Sequence, residues 1–376
     1  MKGVYFMKYA YQGDAIYPVV EIYHDLIAYL GEVAMKDFFF NKEACAKAWK
    51  TGREKLKEYF GDTLPLRAPT GAPLSYGHLV CIGAPLSIPD HTEPNIKPFA
   101  DSIDEAIEIV NRAQEIQFED QPIVQHYLEV WDYLKKVFPE ENVSFAGPGY
   151  EGPLTTAVLM RGQDFFCDLY DVPEKCQEFL KKLTSNITKY IRFINQLNGV
   201  TGLRKDSCGL ADDFASLVSP DMWDEMVIPY WNQYYEEQSV EGCKRFVHVE
   251  GLSPKHLPKL GLAHINHYQP SVSDRIRLED ALEQRGKAYD YFDWLLYAYR
   301  VTEMTDEEIQ AWVDRVVAEN VTTIRTQIGE FTCKAQKFDR ISAFYRAFEK
   351  YRIESVSYTH LDVYKRQVPT LFRNYS

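Results

Sequence analysis

Apolar residues recur at helical spacing through 173–197, where Phe179, Leu180, Leu183, Ile187, Ile191 and Ile194 line one face. Pro173 suits the first turn of that helix. A second helix is expected after Ser219 as N-cap with Pro220 in its first turn, and a third after Thr305, whose capping box closes on Glu308. A further helix reads from the "ISAFYRAFEKYRIE" stretch, 341–354. Between such segments lie short apolar runs that predict strands at 78–84, 143–147, 245–251, 263–269 and 322–329. The aromatic-rich stretch 289–300 reads as core or helix packing.

Alternating strands and helices predict an α/β fold with a parallel sheet and helices outside it. Over this length a (β/α)8 TIM barrel is favoured over a doubly wound open sheet. No glycine-rich strand-to-helix turn of the dinucleotide or P-loop kind is present to support the latter. The expected organisation is one domain over 1–354, of which 1–64 forms an N-terminal helical segment. Residues 355–376 show no stripe, cap or turn logic and read as a non-native or disordered tail.

Composition narrows the class. A chain of 376 residues that is 45% hydrophobic, with 26 Tyr and 21 Phe, can bury a large core and is not wholly disordered. The net charge of −13, without a basic run, argues against a nucleic-acid or anionic-membrane surface. Seven scattered cysteines with no CxxC pair fit reduced thiols. The N-terminus lacks a signal-like apolar region and no run of 18 apolar residues occurs, so a cytoplasmic location is expected.

The stretch "FVHVEG" then becomes specific. If 245–251 is a strand, period two puts His248 and Glu250 on the same face just before Gly251. A polar strand end with a satisfied histidine and a solvated glutamate would look the same in isolation. Two neighbours alter the weighing: "AHINHYQ" supplies His264 and His267, and "IGEFTCKA" supplies Glu330 and Cys333. In a barrel the C-terminal strand ends converge on one mouth, and His, Glu and Cys are all competent zinc ligands. Spacing alone does not choose a trio. "DSCGLADDFASLVSP" adds Asp206 and the adjacent pair Asp212 and Asp213, carboxylates that need a cation, a donor network or a raised pKa if the pair is buried. The glycine-rich turn 145–162 allows close backbone approach to a ligand and carries Tyr150, while His78 and His91 lie in a similar turn. Asp206, Tyr150 and His78 are the substrate-binding candidates.

Taken together, "GPLTTAVLMRGQDFFCDLYDVPEKCQEFL", "LADDFASLVSPDMWDEMVIPYW" and "VHVEGLSPKHLPKLGLAHINHYQP" resemble the uroporphyrinogen decarboxylase superfamily, which includes zinc-dependent corrinoid methyltransferases. The block order fits across roughly 65–350. The resemblance implies a (β/α)8 barrel with its active-site cleft at the C-terminal face. True decarboxylases carry an arginine-bearing N-terminal loop, an aspartate and a tyrosine. This chain shows no such loop, no aspartate in "GAPLSYGHLVCIGA" and no tyrosine in "PLTTAVLMRG". The methyltransferase branch binds zinc through His-x-Cys and a later cysteine. Here His248 matches the histidine, Glu250 replaces the first cysteine and Cys333 stands as the late thiolate. A carboxylate in place of a thiolate leaves the metal a stronger Lewis acid.

The resemblance therefore implies transfer of a methyl group from a small O-, N- or S-methyl donor to a corrinoid carried by a separate protein. Metal ligands would come from His248, Glu250, Cys333 and His264, with Asp212, Asp213 and His267 orienting ligands or moving protons. Two other readings stand beside it. One is a carboxy-lyase acting on a different acid, and the other a non-catalytic barrel that binds a corrinoid or tetrapyrrole.

Overall fold

A computed structural model describes residues 9–353, apart from 91 and 272–273. The expectations for the first eight residues, for His91 and for the tail 355–376 lie outside the described residues.

Nine strands appear among them: β1 Tyr9–Tyr11, β2 Asp14–Ile22, β3 Leu86–Ser87, β4 Asn95–Ile96, β5 Ser207–Ala211, β6 Lys244–His248, β7 His267–Gln269, β8 Tyr291–Leu296 and β9 Thr323–Ile328. Seven build one sheet in the order β1-β2-β9-β8-β7-β6-β5, and β3 and β4 form a separate hairpin. Only β1 runs antiparallel to its neighbour in the large sheet; the other five pairings are parallel. The six parallel strands thus end on one common edge, and their order brings β2 against β9.

An eight-stranded ring closed by ladders is not seen among the described residues. The sector between β5 and β2 holds irregular backbone instead. Leu74 donates its N–H to the carbonyl of Gly147 and accepts from Gly149, both at 2.7 Å, and Gly152 donates to Ala211 at 2.7 Å. These segments are rich in glycine and proline, which favour turns over ladders. Gly152 is required by contact: a Cβ there would lie 2.5 Å from Cβ of Asp212 and 2.6 Å from the Ala211 carbonyl. That closeness sets the helix Pro153–Arg161 directly on the end of β5.

The helix Pro173–Leu197 forms as its stripe predicts, with Phe179, Leu180, Leu183, Ile187 and Ile191 buried. The capping box at Thr305 is present and opens the helix Asp306–Ala318. Ser219 makes no side-chain cap bond; the segment after it breaks into Pro220–Met222, Trp223–Met226 and Ile228–Gln238. Pro229 lacks the N–H a continuous helix would need and disfavours helical geometry at the residue before it.

Three expectations are corrected, among them the strand at 143–147, which is irregular backbone. The run 78–84 is a helix, Gly77–Cys81, rather than a strand, because a short buried apolar run has no periodicity to separate the two. The N-terminal region carries helices His24–Leu30, Met35–Phe40 and Lys42–Phe60, but it also contributes β2 to the main sheet. The aromatic stretch 289–300 does pack in the core, as the strand β8 with both faces largely buried rather than as a helix.

Candidate active site

The common C-terminal edge of the parallel strands gathers the residues of interest. β6 delivers His248 with its side chain one-fifth exposed. The chain then turns at Gly251, whose φ of +71° suits glycine. His248 Nε2 lies 3.6 Å from Asp213 Oδ1 and 3.9 Å from Glu250 Oε1. Asp213 also accepts the backbone N–H of Glu250 at 2.8 Å, which ties the two turns together. The other ring nitrogen, Nδ1, is 2.7 Å from Gln269 Oε1 at the end of β7.

Asp212, next to Asp213, turns the opposite way. Its side chain is completely buried. It accepts from the backbone N–H groups of Leu154 and Thr155 at 3.2 and 2.7 Å, and from Trp231 Nε1 at 2.7 Å. Those amides form the N-terminus of the helix Pro153–Arg161, where a carboxylate is stabilised by unpaired N–H groups and the helix dipole. Burial outweighs these bonds and pushes its pKa up to about 6. Asp212 therefore anchors the scaffold beneath the site.

Glu151 stands beside this pair. Burial, then the charges of Asp213 and Asp212, push its carboxyl up to about 8, against a hydrogen bond from Ser75. It therefore carries a proton at neutral pH. Tyr23, at the end of β2, is raised to about 12 by burial and then by the charges of Glu250, Asp25 and Glu93. The same edge thus holds many carboxylates close together.

Below His248 a polar chain crosses the interior of the sheet. Gln269 Nε2 donates to Asp293 Oδ2 at 3.0 Å, and Arg325 Nη1 donates to the same oxygen at 2.8 Å. His267 Nε2 lies 2.5 Å from Asp293 Oδ1, and Arg325 also pairs with Glu21 on β2. Burial lowers the Arg325 pKa to about 9, which leaves it charged at neutral pH. Buried charges persist only when paired, and here each has a partner.

The structure brings three of the sequence-predicted residues together, His248, Glu250 and Asp213, with Asp212 behind them. Tyr150, next to Glu151, is partly buried and packs against the core. His267 joins the interior chain instead of reaching the edge. His264 is exposed, with a left-handed φ of +53°, and precedes β7, so it sits at the opposite end of the strands. Asp206 likewise precedes β5 and is exposed at that end. His78 is a core residue: it is buried, shares a 2.7 Å hydrogen bond with Asn186, and packs on Phe118 and Tyr190. Burial lowers its pKa to about 4, so it stays neutral. Cys333 lies in the helix Glu330–Lys334 after β9, where burial and then Glu330 raise its thiol pKa.

Among the described residues no group of three or more His, Cys, Asp or Glu side chains stands assembled as a metal site. The expected His248–Glu250–Cys333–His264 set is thus not gathered, because two of its members sit on other parts of the scaffold. Sequence reading missed Glu151, Gln269, Asp293, Arg325 and Glu21. The available signal was charge inside strands: "YFDWLL" and "TIRTQI" each place an ionisable residue in an apolar run, where it needs a partner.

The sequence model for the family described as uroporphyrinogen decarboxylase (URO-D) matches residues 77–288. No curated protein matches the chain. Among solved structures, a B12-independent methionine synthase from Shewanella sp. W3-18-1, in complex with selenomethionine, shares 14% identity. That alignment covers 60% of this chain and 67% of that one, with a TM-score of 0.39. No helix among the described residues is long and apolar enough to cross a membrane.

Proposed function

The chain belongs to the uroporphyrinogen decarboxylase family, and from that premise we propose that it is a metal-assisted methyltransferase. Its substrate in this reading is a small O-, N- or S-methyl compound, and its acceptor a corrinoid carried by a partner protein. The observation that carries the reading is the convergence of His248 Nε2 on Asp213 and Glu250 at 3.6 and 3.9 Å. Two ligands that each sit about 2.1 Å from one tetrahedral zinc are separated by roughly 3.4 Å. The two spacings are close to that value, and one imidazole with two carboxylates is a donor set zinc accepts.

His248, Asp213 and Glu250 would hold the ion; Cys333 and His264 drop out of the set. When bound, zinc would supply a Lewis acid that withdraws charge from the leaving heteroatom. The remaining chemistry belongs to the protein. As the carbon–heteroatom bond breaks, its electron pair stays on the heteroatom and the methyl group passes to the acceptor. Glu151, protonated at neutral pH and within the field of Asp213, would give the heteroatom its proton. Asp212 keeps the Asp213 turn fixed while this happens.

The carboxy-lyase alternative is weakened by charge. The acid substrate of that reading would meet Asp213, Glu250, Asp25 and Glu330 at this edge, and like charges repel. A passive carrier barrel gives no reason for three ionisable side chains to converge.

Metal analysis of the purified protein and of His248→Ala and Asp213→Asn tests the reading. Stoichiometric zinc in the wild type, lost in both variants, is the expected result. Equal zinc in wild type and His248→Ala would defeat it, as would the absence of methyl transfer from simple methyl ethers, amines and thioethers to free cob(I)alamin.

A further inference from the structure

The interior polar chain has a direction, and it ends on His248. Arg325 can only donate hydrogen bonds, so Asp293 Oδ2, 2.8 Å from its Nη1, acts as an acceptor. The same oxygen faces the Gln269 side-chain amide at 3.0 Å. Turning that amide over would press its carbonyl oxygen against the carboxylate, acceptor against acceptor. The amide nitrogen must therefore point at Asp293, which leaves Oε1 facing His248 Nδ1 at 2.7 Å. A carbonyl oxygen accepts only, so Nδ1 carries the proton.

We propose that Gln269, oriented by the Asp293–Arg325 pair, is a positioning residue that fixes His248 as the Nδ1–H tautomer, with the Nε2 lone pair aimed at Asp213 and Glu250. Free histidine in water prefers the opposite tautomer, so the preference is imposed by the fold. Every member sits on a strand: Glu21 on β2, His248 on β6, Gln269 on β7, Asp293 on β8 and Arg325 on β9. Asp293 and Arg325 are almost completely buried, at 1% and 3% exposure, so solvent does not supply competing partners. A neutral amide in this position orients the ring without placing a second charge against it, and leaves Nε2 free to bind an electrophile.

The inference deepens the proposed use of His248 as a ligand, but its test needs no activity. Nitrogen NMR of metal-free protein labelled at histidine reads the tautomer directly, with His248→Gln identifying the signal. With the ring neutral, the wild type is expected to show Nδ1 protonated and Nε2 bare. Gln269→Met should shift the ring toward the Nε2–H form and weaken zinc binding about 10- to 100-fold. An Nε2–H ring in the wild type overturns the proposal without recourse to any variant, and so does a tautomer unmoved by Gln269→Met. A correct tautomer in a protein that takes up no zinc would instead count against the methyltransferase reading and leave this one standing.

Discussion

Trp231 donates its indole N–H to Asp212 over 2.7 Å at a point where neither side chain reaches solvent. With the amides of Leu154 and Thr155 on the same carboxylate, this bond locks a strand end to a helix start. Asp212→Ala would leave three buried donors unsatisfied. A loss of about 3 kcal/mol is expected, read as a lower denaturation midpoint at constant slope. A change under about 1 kcal/mol would show that the carboxylate is not the anchor.

Gly152→Ala probes the same junction from the other side. The added methyl would stand 2.5 Å from Cβ of Asp212, closer than two carbons can approach, so backbone must move. Destabilisation of about 1–3 kcal/mol is expected, together with weaker zinc binding, since Asp213 is the next residue. Unaltered stability and zinc affinity would mean that the junction is slack.

Glu151 gives stability a pH dependence whose sign can be stated. Its folded pKa of about 8 lies above the ordinary value of about 4.3, so the folded state holds a proton the unfolded chain has lost. That contribution is complete below about pH 4 and declines as pH rises toward 8. Glu151→Gln mimics the protonated acid and should flatten this decline between pH 5 and 8 in denaturant titrations. Asp213→Asn removes one of the like charges that raise the Glu151 pKa, so the decline should end at a lower pH than in the wild type. The two variants thus separate burial from charge.

Cys333→Ser and His264→Ala should each leave zinc content and affinity as in the wild type, in contrast to His248→Ala. Loss of the metal in either variant would restore the sequence-based ligand set and displace Asp213 from it.

The sequence made the periodic elements legible. The stripe of Pro173–Leu197 and the capping box at Thr305 encode their helices locally. "FVHVEG" encodes the end of a strand, but β6 stops at His248, and Glu250 reaches it at 3.9 Å from the following turn rather than from the same strand face. What stayed hidden depends on register between distant strands. Asp293 and Arg325 have no meaning until β8 lies beside β9 with Asp293 opposite Thr323. His264 and Asp206 look equivalent to mouth residues until strand direction is known, since only the trailing end of each strand faces the cleft. Glu151 escaped notice because its character comes first from burial and then from Asp213 and Asp212, some 60 positions on.

The pairing of β2 with β9 sets Glu21 beside Gln327 across 306 positions. Loop closure on that scale is entropically costly and slows folding. During synthesis β2 must wait, the edge that β9 will cover bare, until residues 323–328 have left the ribosome. An interrupted chain ending before Thr323 would carry two raw edges, on β2 and on β8, and would be an aggregation hazard rather than a smaller working sheet.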